Sequence, residues 1–193
     1  MNLKNLFILD YLRLHIFKNL FEVKTIFIMI CIFINAAATY AAPPKSSEVE
    51  AVFIYKFLQF IEWPEHKQDA NFNICTLGEG EINDVIEIID LKNMDGISVK
   101  VLKKIKNEER SKCRVIYIGE IEDKYEKETL KFSKENSILT ISNKNGFLES
   151  GGIINFLIVD NRVNFEINFK EAKNSGLKIS SKLLRTAKRV INN

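Results

Sequence analysis

Histidine is nearly absent from this 193-residue chain, and its scarcity excludes more chemistry than any motif supplies. There are two, His15 and His66, beside three cysteines, Cys31, Cys75 and Cys113. A typical zinc shell takes four ligands from clustered His and Cys side chains. One histidine in an N-terminal leader and one in a polar stretch after Trp63-Pro64 cannot supply it, so no metal is expected. The same count leaves no set of nucleophile, base and orienting group, so no enzyme is expected and no cofactor. An excess of one charge is lacking too, with 28 Lys+Arg against 25 Asp+Glu. That balance gives no electrostatic reason to expect nucleic acid. Internal repeats and low-complexity segments are absent beyond a general Lys/Asn/Ile bias.

What is present begins with a leader. Lys4, Arg13, Lys18 and Lys24 outnumber Asp10 and Glu22, an apolar run follows from Ile26 to Ile34, and the small-residue stretch "NAAATYAAPP" closes the segment. A positive start, a short apolar middle and an A-x-A-like end describe a secretory signal peptide. The apolar run falls short of the roughly 20 residues of a spanning helix. The rival, an uncleaved anchor beginning near Leu6, would put Asp10, His15 and Glu22 in lipid. Cys31 follows "IMI" and lacks the small residue that lipoprotein processing needs. Residues 1–41 are therefore expected to direct export to the periplasm, with cleavage after Ala38 or Ala41, and 42–193 to form one domain. Taking the leader's four basic and two acidic residues from 28 and 25 leaves 24 against 23, a net of +1. Cys75 and Cys113 remain. An oxidising compartment favours pairing them, which would stabilise by about 3 to 4 kcal/mol, and two buried free thiols are the alternative.

The stretch "AVFIYKFLQFIEWP", residues 51–64, poses the main packing question. Ser47 and Glu50 read as a capping box ahead of it, and Pro64 as its stop. At helical spacing Val49, Val52, Phe53, Phe57, Phe60 and Ile61 share one face, leaving Ile54, Tyr55 and Leu58 on the others. Those three are expected either to lie under the C-terminal segment or to meet another protein. Next come a strand at 72–78, an amphipathic helix at 81–93 with Ile82, Val85, Ile86 and Ile89 inward, and strands at 96–105, 113–119 and 137–142. A highly charged helix at 122–134 lies between the last two. "GGIINFLIVDNRVNFEIN" is a hairpin about Asp160-Asn161, residue types that tolerate the positive φ of a tight turn. "FKEAKNSG" is a helical turn, and 177–191 reads as a closing helix. Alternating strands and helices followed by a hairpin predict an α/β three-layer sandwich, with a mainly parallel sheet, an antiparallel edge hairpin and a C-terminal helix.

Few segments carry chemistry. "TLGEGEIND" sits where an α/β fold would bind a phosphate, but it lacks the third glycine of a dinucleotide loop, and Glu79 and Glu81 would repel a pyrophosphate. It reads as a plain turn. Gly146, Gly151 and Gly152 in "GFLESGG" read as backbone geometry. Glu166, flanked by apolar residues in a strand, faces either solvent or a partner. Lys178, Lys182, Arg185 and Arg189 form a basic stripe on the closing helix, either a solvated face or a site for an acidic partner. Trp63, the single tryptophan, is a further contact candidate.

The order and spacing of "AVFIYKFLQFIEWP", "FNICTLG", "CRVIYIG", "ILTIS", "GFLESGGIINFLIVDNRVNFEIN" and "GLKISSKLLRTAKRV" resemble the YfiR-like family, from about Val49 to Val190. That resemblance implies a non-enzymatic periplasmic domain with an oxidised pair at Cys75 and Cys113 and a tendency to homodimerise. It also implies repression of an inner-membrane diguanylate cyclase through the periplasmic region of that enzyme, relieved by an outer-membrane lipoprotein. Some members carry a second cysteine pair near the Gly-rich turn; this chain has none. The expected partner-binding residues are Ile54, Tyr55, Leu58, Trp63, Glu166 and Arg185. The alternative function is a periplasmic small-molecule sensor acting with another membrane signalling protein.

Overall fold

The computed structural model describes Lys24 and residues 44–64, 71–90, 92–94 and 96–192. The chain divides into a unit Met1–Pro43 and a unit Pro44–Asn193, and the second is the subject here. Cys31, His66 and all of the leader except Lys24 lie outside the described residues. Among the described residues no helix is long and apolar enough to cross a membrane.

The second unit is an α/β sandwich built on a sheet of strands in the order β10-β8-β7-β6-β5-β2-β4-β3. These are β2 (Asn71–Leu77), β3 (Asn93–Met94), β4 (Ile97–Leu102), β5 (Val115–Ile118), β6 (Leu139–Ser142), β7 (Ile154–Val159), β8 (Arg162–Asn168) and β10 (Arg189–Ile191). Five of the seven pairings are parallel; β3 with β4 and β7 with β8 are antiparallel. Central β5 and β6, VIYI and LTIS, are buried at every position, as strands covered on both faces must be. The β7–β8 turn falls where the sequence puts it, with Asp160 and Asn161 at φ 49° and 57°.

Alternation along each strand separates two cores. Ile74, Val115, Tyr117, Leu139, Ile141, Ile154, Phe156, Phe165 and Ile167 face one way. They meet helix α1 (Ser46–Leu58) and the short helix α2 (Ile82–Val85), which continues as a 3-10 turn to Ile89. Cys75, Leu77, Ile116 and Ile118 face the other way, against Leu130 of helix α3 (Asp123–Glu135) together with Phe147 and Leu148. The cysteines are joined on this second side, Cys75 to Cys113, with Cα atoms 5.9 Å apart.

Two expectations fail at the ends of the unit. Helix α1 stops at Leu58, because Ile61–Glu62 (β1) leaves it to pair antiparallel with Lys178–Ile179 (β9). The Ser180 amide also donates to the Phe60 carbonyl at 2.9 Å, fixing the exit. Residues 177–191 are correspondingly not one helix: β9 is followed by a six-residue helix α5 (Ser181–Thr186) and by β10. β10 lies parallel to β8, so the hairpin is one strand in from the edge. The basic stripe dissolves with the helix: Lys178 sits on β9, Lys182 and Arg185 on α5, and Arg189 on β10. Another short helix, α4 (Phe169–Asn174), follows the hairpin, capped by the Asn168 side chain accepting from the Glu171 amide at 3.0 Å.

Candidate functional site

The inward face of α1 is Ser47, Glu50, Ala51, Ile54, Phe57 and Leu58, with Val52 41% exposed. This corrects the face read from the sequence, which put Val49, Val52, Phe53, Phe57, Phe60 and Ile61 together inward: the core takes Ala51, Ile54, Phe57 and Leu58. Glu50 was assigned to a cap, yet Lys45 holds the N-cap position and no side chain caps the helix. Instead the Glu50 carboxylate is buried at 4% exposure and accepts the Tyr117 hydroxyl at 3.0 Å. Ile54, Phe57 and Leu58 lie on the same face as Glu50, in the core.

Ile54 and Leu58 thus offer no surface to a partner, at 0% and 3% exposure. Tyr55 is half-buried and donates its hydroxyl to the Asn93 carbonyl at 2.9 Å. Trp63 lies edge-on to Phe72 at 4.9 Å, with its indole nitrogen buried and unpaired. Glu166 accepts from Arg189 at 2.7 Å, while Arg185 is exposed on α5. The six are not gathered into one patch.

What α1 does build is a groove. Phe53 and Lys56 on its flank, Phe60 just past its end, Val163 on β8, and Leu183 and Thr186 on α5 line a space of about 270 Å³. Its floor is aromatic: Phe57 meets Phe165 edge-on at 4.8 Å and stacks on Phe156 at 5.8 Å. Lys182 covers the Phe60 ring at 5.2 Å. Sequence reasoning missed Lys56 and Phe60 as a pair because they lie at the helix exit, whose direction depends on the β1–β9 pairing.

A second depression sits at the carboxyl ends of β2 and β5. The connection from β2 runs over the α1 side of the sheet and that from β5 over the α3 side, so the strand order reverses between them. Open α/β sheets bind ligands at such a point. The two loops leaving the strands cross in contact: the Glu79 amide donates to the Glu120 carbonyl at 3.2 Å and the Glu120 amide to the Glu79 carbonyl at 2.7 Å. Only glycine permits that approach. A Cβ on Gly119 would strike the Glu79 carbonyl, and one on Gly78, at φ +84°, the Glu120 carbonyl. "TLGEGEIND" is therefore more than a turn: it forms one wall of the cleft. Ser46, Ser47 and Glu50 of α1, Tyr117, Glu81 and Asn143 line the rest, around a volume of about 270 Å³.

Burial raises the Glu50 carboxyl above its ordinary value; the Tyr117 and Asn143 hydrogen bonds oppose that rise and the Glu81 charge adds to it. The Tyr117 hydroxyl is raised too, by burial first and then by the Glu50 charge. Among the described residues no group of three or more His, Cys, Asp or Glu side chains is placed to hold a metal ion. The periodicity Ser47, Glu50, Ala51, Ile54, Phe57 was the signal in the sequence, since it places a carboxylate on an apolar stripe.

A sequence model of YfiR/HmsC-like proteins matches residues 47–188. Among solved structures, a conserved domain protein from Vibrio cholerae superposes with a TM-score of 0.51 at 13% identity, covering 75% of this chain and 60% of that one. An ABC domain in complex with L-Trp from Streptococcus pneumoniae gives 0.49 at 13% identity, covering 76% and 60%. The chain thus matches about 60% of the length of each, and at such identity the first likeness is one of fold alone. No curated protein matches.

Proposed function

Because the chain belongs to the YfiR/HmsC-like family, whose members are periplasmic regulators of c-di-GMP signalling and not catalysts, we propose that it represses a membrane-bound diguanylate cyclase by binding that enzyme's periplasmic sensor region. The observation that carries this reading is the extent of the family match, residues 47–188, which runs from the first turn of α1 to the residue before β10. Export by way of residues 1–41 would bring the domain to that partner. Repression requires only that the inactive arrangement be bound better than the active one, and a tenfold effect takes about 1.4 kcal/mol of difference.

The groove beside α1 is the surface best suited to the contact. Its apolar floor can take a hydrophobic segment, and Lys56 and Lys182 at the rim favour acidic residues flanking that segment. An outer-membrane lipoprotein that relieves repression by sequestering the domain, and a homodimer, belong to the same reading. Deleting the gene should raise cellular c-di-GMP; the parent gene should bring it back down, and Phe60→Asp or Lys56→Glu should not, while the variant protein accumulates normally. Unchanged c-di-GMP in the deletion strain would sink the proposal. The cleft between β2 and β5 favours a second reading, a sensor of a small molecule, acting with the same or another membrane signalling protein.

A further inference from the structure

The cleft where the strand order reverses has an unusual charge for its position. Such crevices often receive phosphates, yet four carboxylates line this one, Glu50, Glu79, Glu81 and Glu120, and among the described residues no basic side chain does. Lys104 neutralises Glu79 from outside, at 2.6 Å. Three carboxyl groups remain, and the N-terminus of α1 offsets only about half a charge. The pocket selects against anions.

Two polar groups inside it are incompletely used. Ser47 lines the cleft and is only 4% exposed, and its buried hydroxyl has no hydrogen-bond partner among the described residues. A buried hydroxyl left unpaired costs about 1–3 kcal/mol, and a ligand that bonds to it recovers that cost. The Glu50 carboxylate meets Tyr117 and Asn143 but has about four acceptor positions, so room for further donors remains. Donors are what the cleft lacks, and a positive charge is what it favours. A metal ion is disfavoured, since no three carboxylates are placed to ligate one together among the described residues. The crossing of the Gly78 and Gly119 loops holds the walls in place, so the cleft is preformed.

We infer that this cleft binds a small organic amine, its ammonium group donating to Glu50 and the Ser47 hydroxyl while Glu81 and Glu120 supply the surrounding negative field. Binding alone reads this out, so no cyclase partner is needed to observe it. Putrescine, ethanolamine and spermidine should be titrated calorimetrically into the purified chain, with 1,4-butanediol, succinate and magnesium chloride as neutral, anionic and divalent controls. At least one amine should bind saturably, one per chain, and raise Tm, while the three controls do neither. Glu50→Gln should weaken the best amine about tenfold or more, as loss of one charge-assisted contact does. Glu81→Gln, an exposed change that leaves the core intact, should weaken it by a smaller factor, and Glu62→Gln on β1 should leave it unchanged. Failure of all three amines, equal binding of the diol, saturable magnesium binding without amine binding, or full affinity in both Glu50→Gln and Glu81→Gln would each overturn the assignment.

Discussion

The two faces of the sheet are made from the same strands and differ in nearly every other respect. On the α3 side, packing is reinforced by a covalent link and by several polar pairs, although the buried Ser133 hydroxyl has no partner among the described residues. Arg110 donates to Thr129 at 3.1 Å and lies over the Phe132 ring at 4.9 Å, and Lys144 holds the buried Glu126. On the α1 side, no disulfide intervenes; four phenylalanines carry the packing, a carboxylate is buried against a tyrosine, and both the groove and the cleft open. The α3 side is cross-linked, though it too carries a depression, of about 350 Å³, lined by Leu77, Ile105, Ile121 and Tyr125. The α1 side is held by side-chain packing and carries the groove and the cleft invoked in the proposals above.

The largest test of this contrast removes the aromatic floor. Phe57 is 1% exposed and touches Phe53, Phe156 and Phe165. Phe57→Ala should cost about 3–5 kcal/mol in urea unfolding, through lost transfer energy and the cavity left behind. A cost below about 1 kcal/mol would mean α1 is held elsewhere, and the contrast as drawn would fail. Removing the opposite tie, by Cys75→Ser with Cys113→Ser, should cost about 3–4 kcal/mol in the chain-entropy model, since the bridge joins residues 38 apart. This double variant should leave amine binding and c-di-GMP repression intact. Loss of either along with stability would show that the faces are not independent.

The central strands were legible because their signals are local, whereas the Cys75–Cys113 pairing, across 38 residues, was favoured only by the expected compartment and the family resemblance. "CRVIYIG" and "ILTIS" can only be strands covered twice, and Asp160-Asn161 is a turn by residue type alone. The ends of the unit were not legible, because their structure is decided by pairing between distant segments. Nothing in "FIEWP" says that Ile61 will meet Ile179, and nothing in "LKISSKLLRTAKRVI" says that Arg189–Ile191 will extend the sheet beside Glu166–Asn168. Tertiary pairing overrode helical propensity at both places. The acidic cleft was half legible. The loop stood out as "TLGEGEIND", but Glu50 was hidden by a plausible capping role, and only its contact with Tyr117, 67 residues away, shows its purpose.

Glu50 makes a smaller, signed prediction. Its folded value is raised, chiefly by burial, above the ordinary 4.5, so the native state binds the proton more tightly than the unfolded chain. Stability contributed by this group is present below 4.5 and is lost as pH rises through the folded value, after which it is constant. Tyr117, Asn143 and Glu81 face the carboxyl, the first two through hydrogen bonds and Glu81 through its charge. Glu50→Gln keeps an acceptor for Tyr117 and abolishes the titration. A plot of Tm against pH should therefore be flatter for the variant than for the parent in that window, with a relative gain for the variant toward neutral pH. Parallel curves would remove the buried carboxyl from the account of this face.

The smallest effect is expected at the sheet margin, where the faces meet solvent. Arg189 on β10 bridges Glu166 at 2.7 Å and Glu149 at 3.1 Å, and the pairings raise its own pKa, through the Glu166 hydrogen bond first. It is nonetheless 47% exposed, so water and salt screen the interaction and Arg189→Ala should cost only about 0–1 kcal/mol. β10 keeps its backbone pairing to β8, with Val190 opposite Ile167, and the Lys188 amide keeps its 2.8 Å bond to the Phe165 carbonyl. The strand should therefore stay docked when the charge is gone, which hydrogen exchange at Val190 and Ile191 can check. Rapid exchange there would mean the ion pair holds the strand in place. The margin would then belong with the α1 face, as a part poised to open, and the groove beside β8 would have a movable wall.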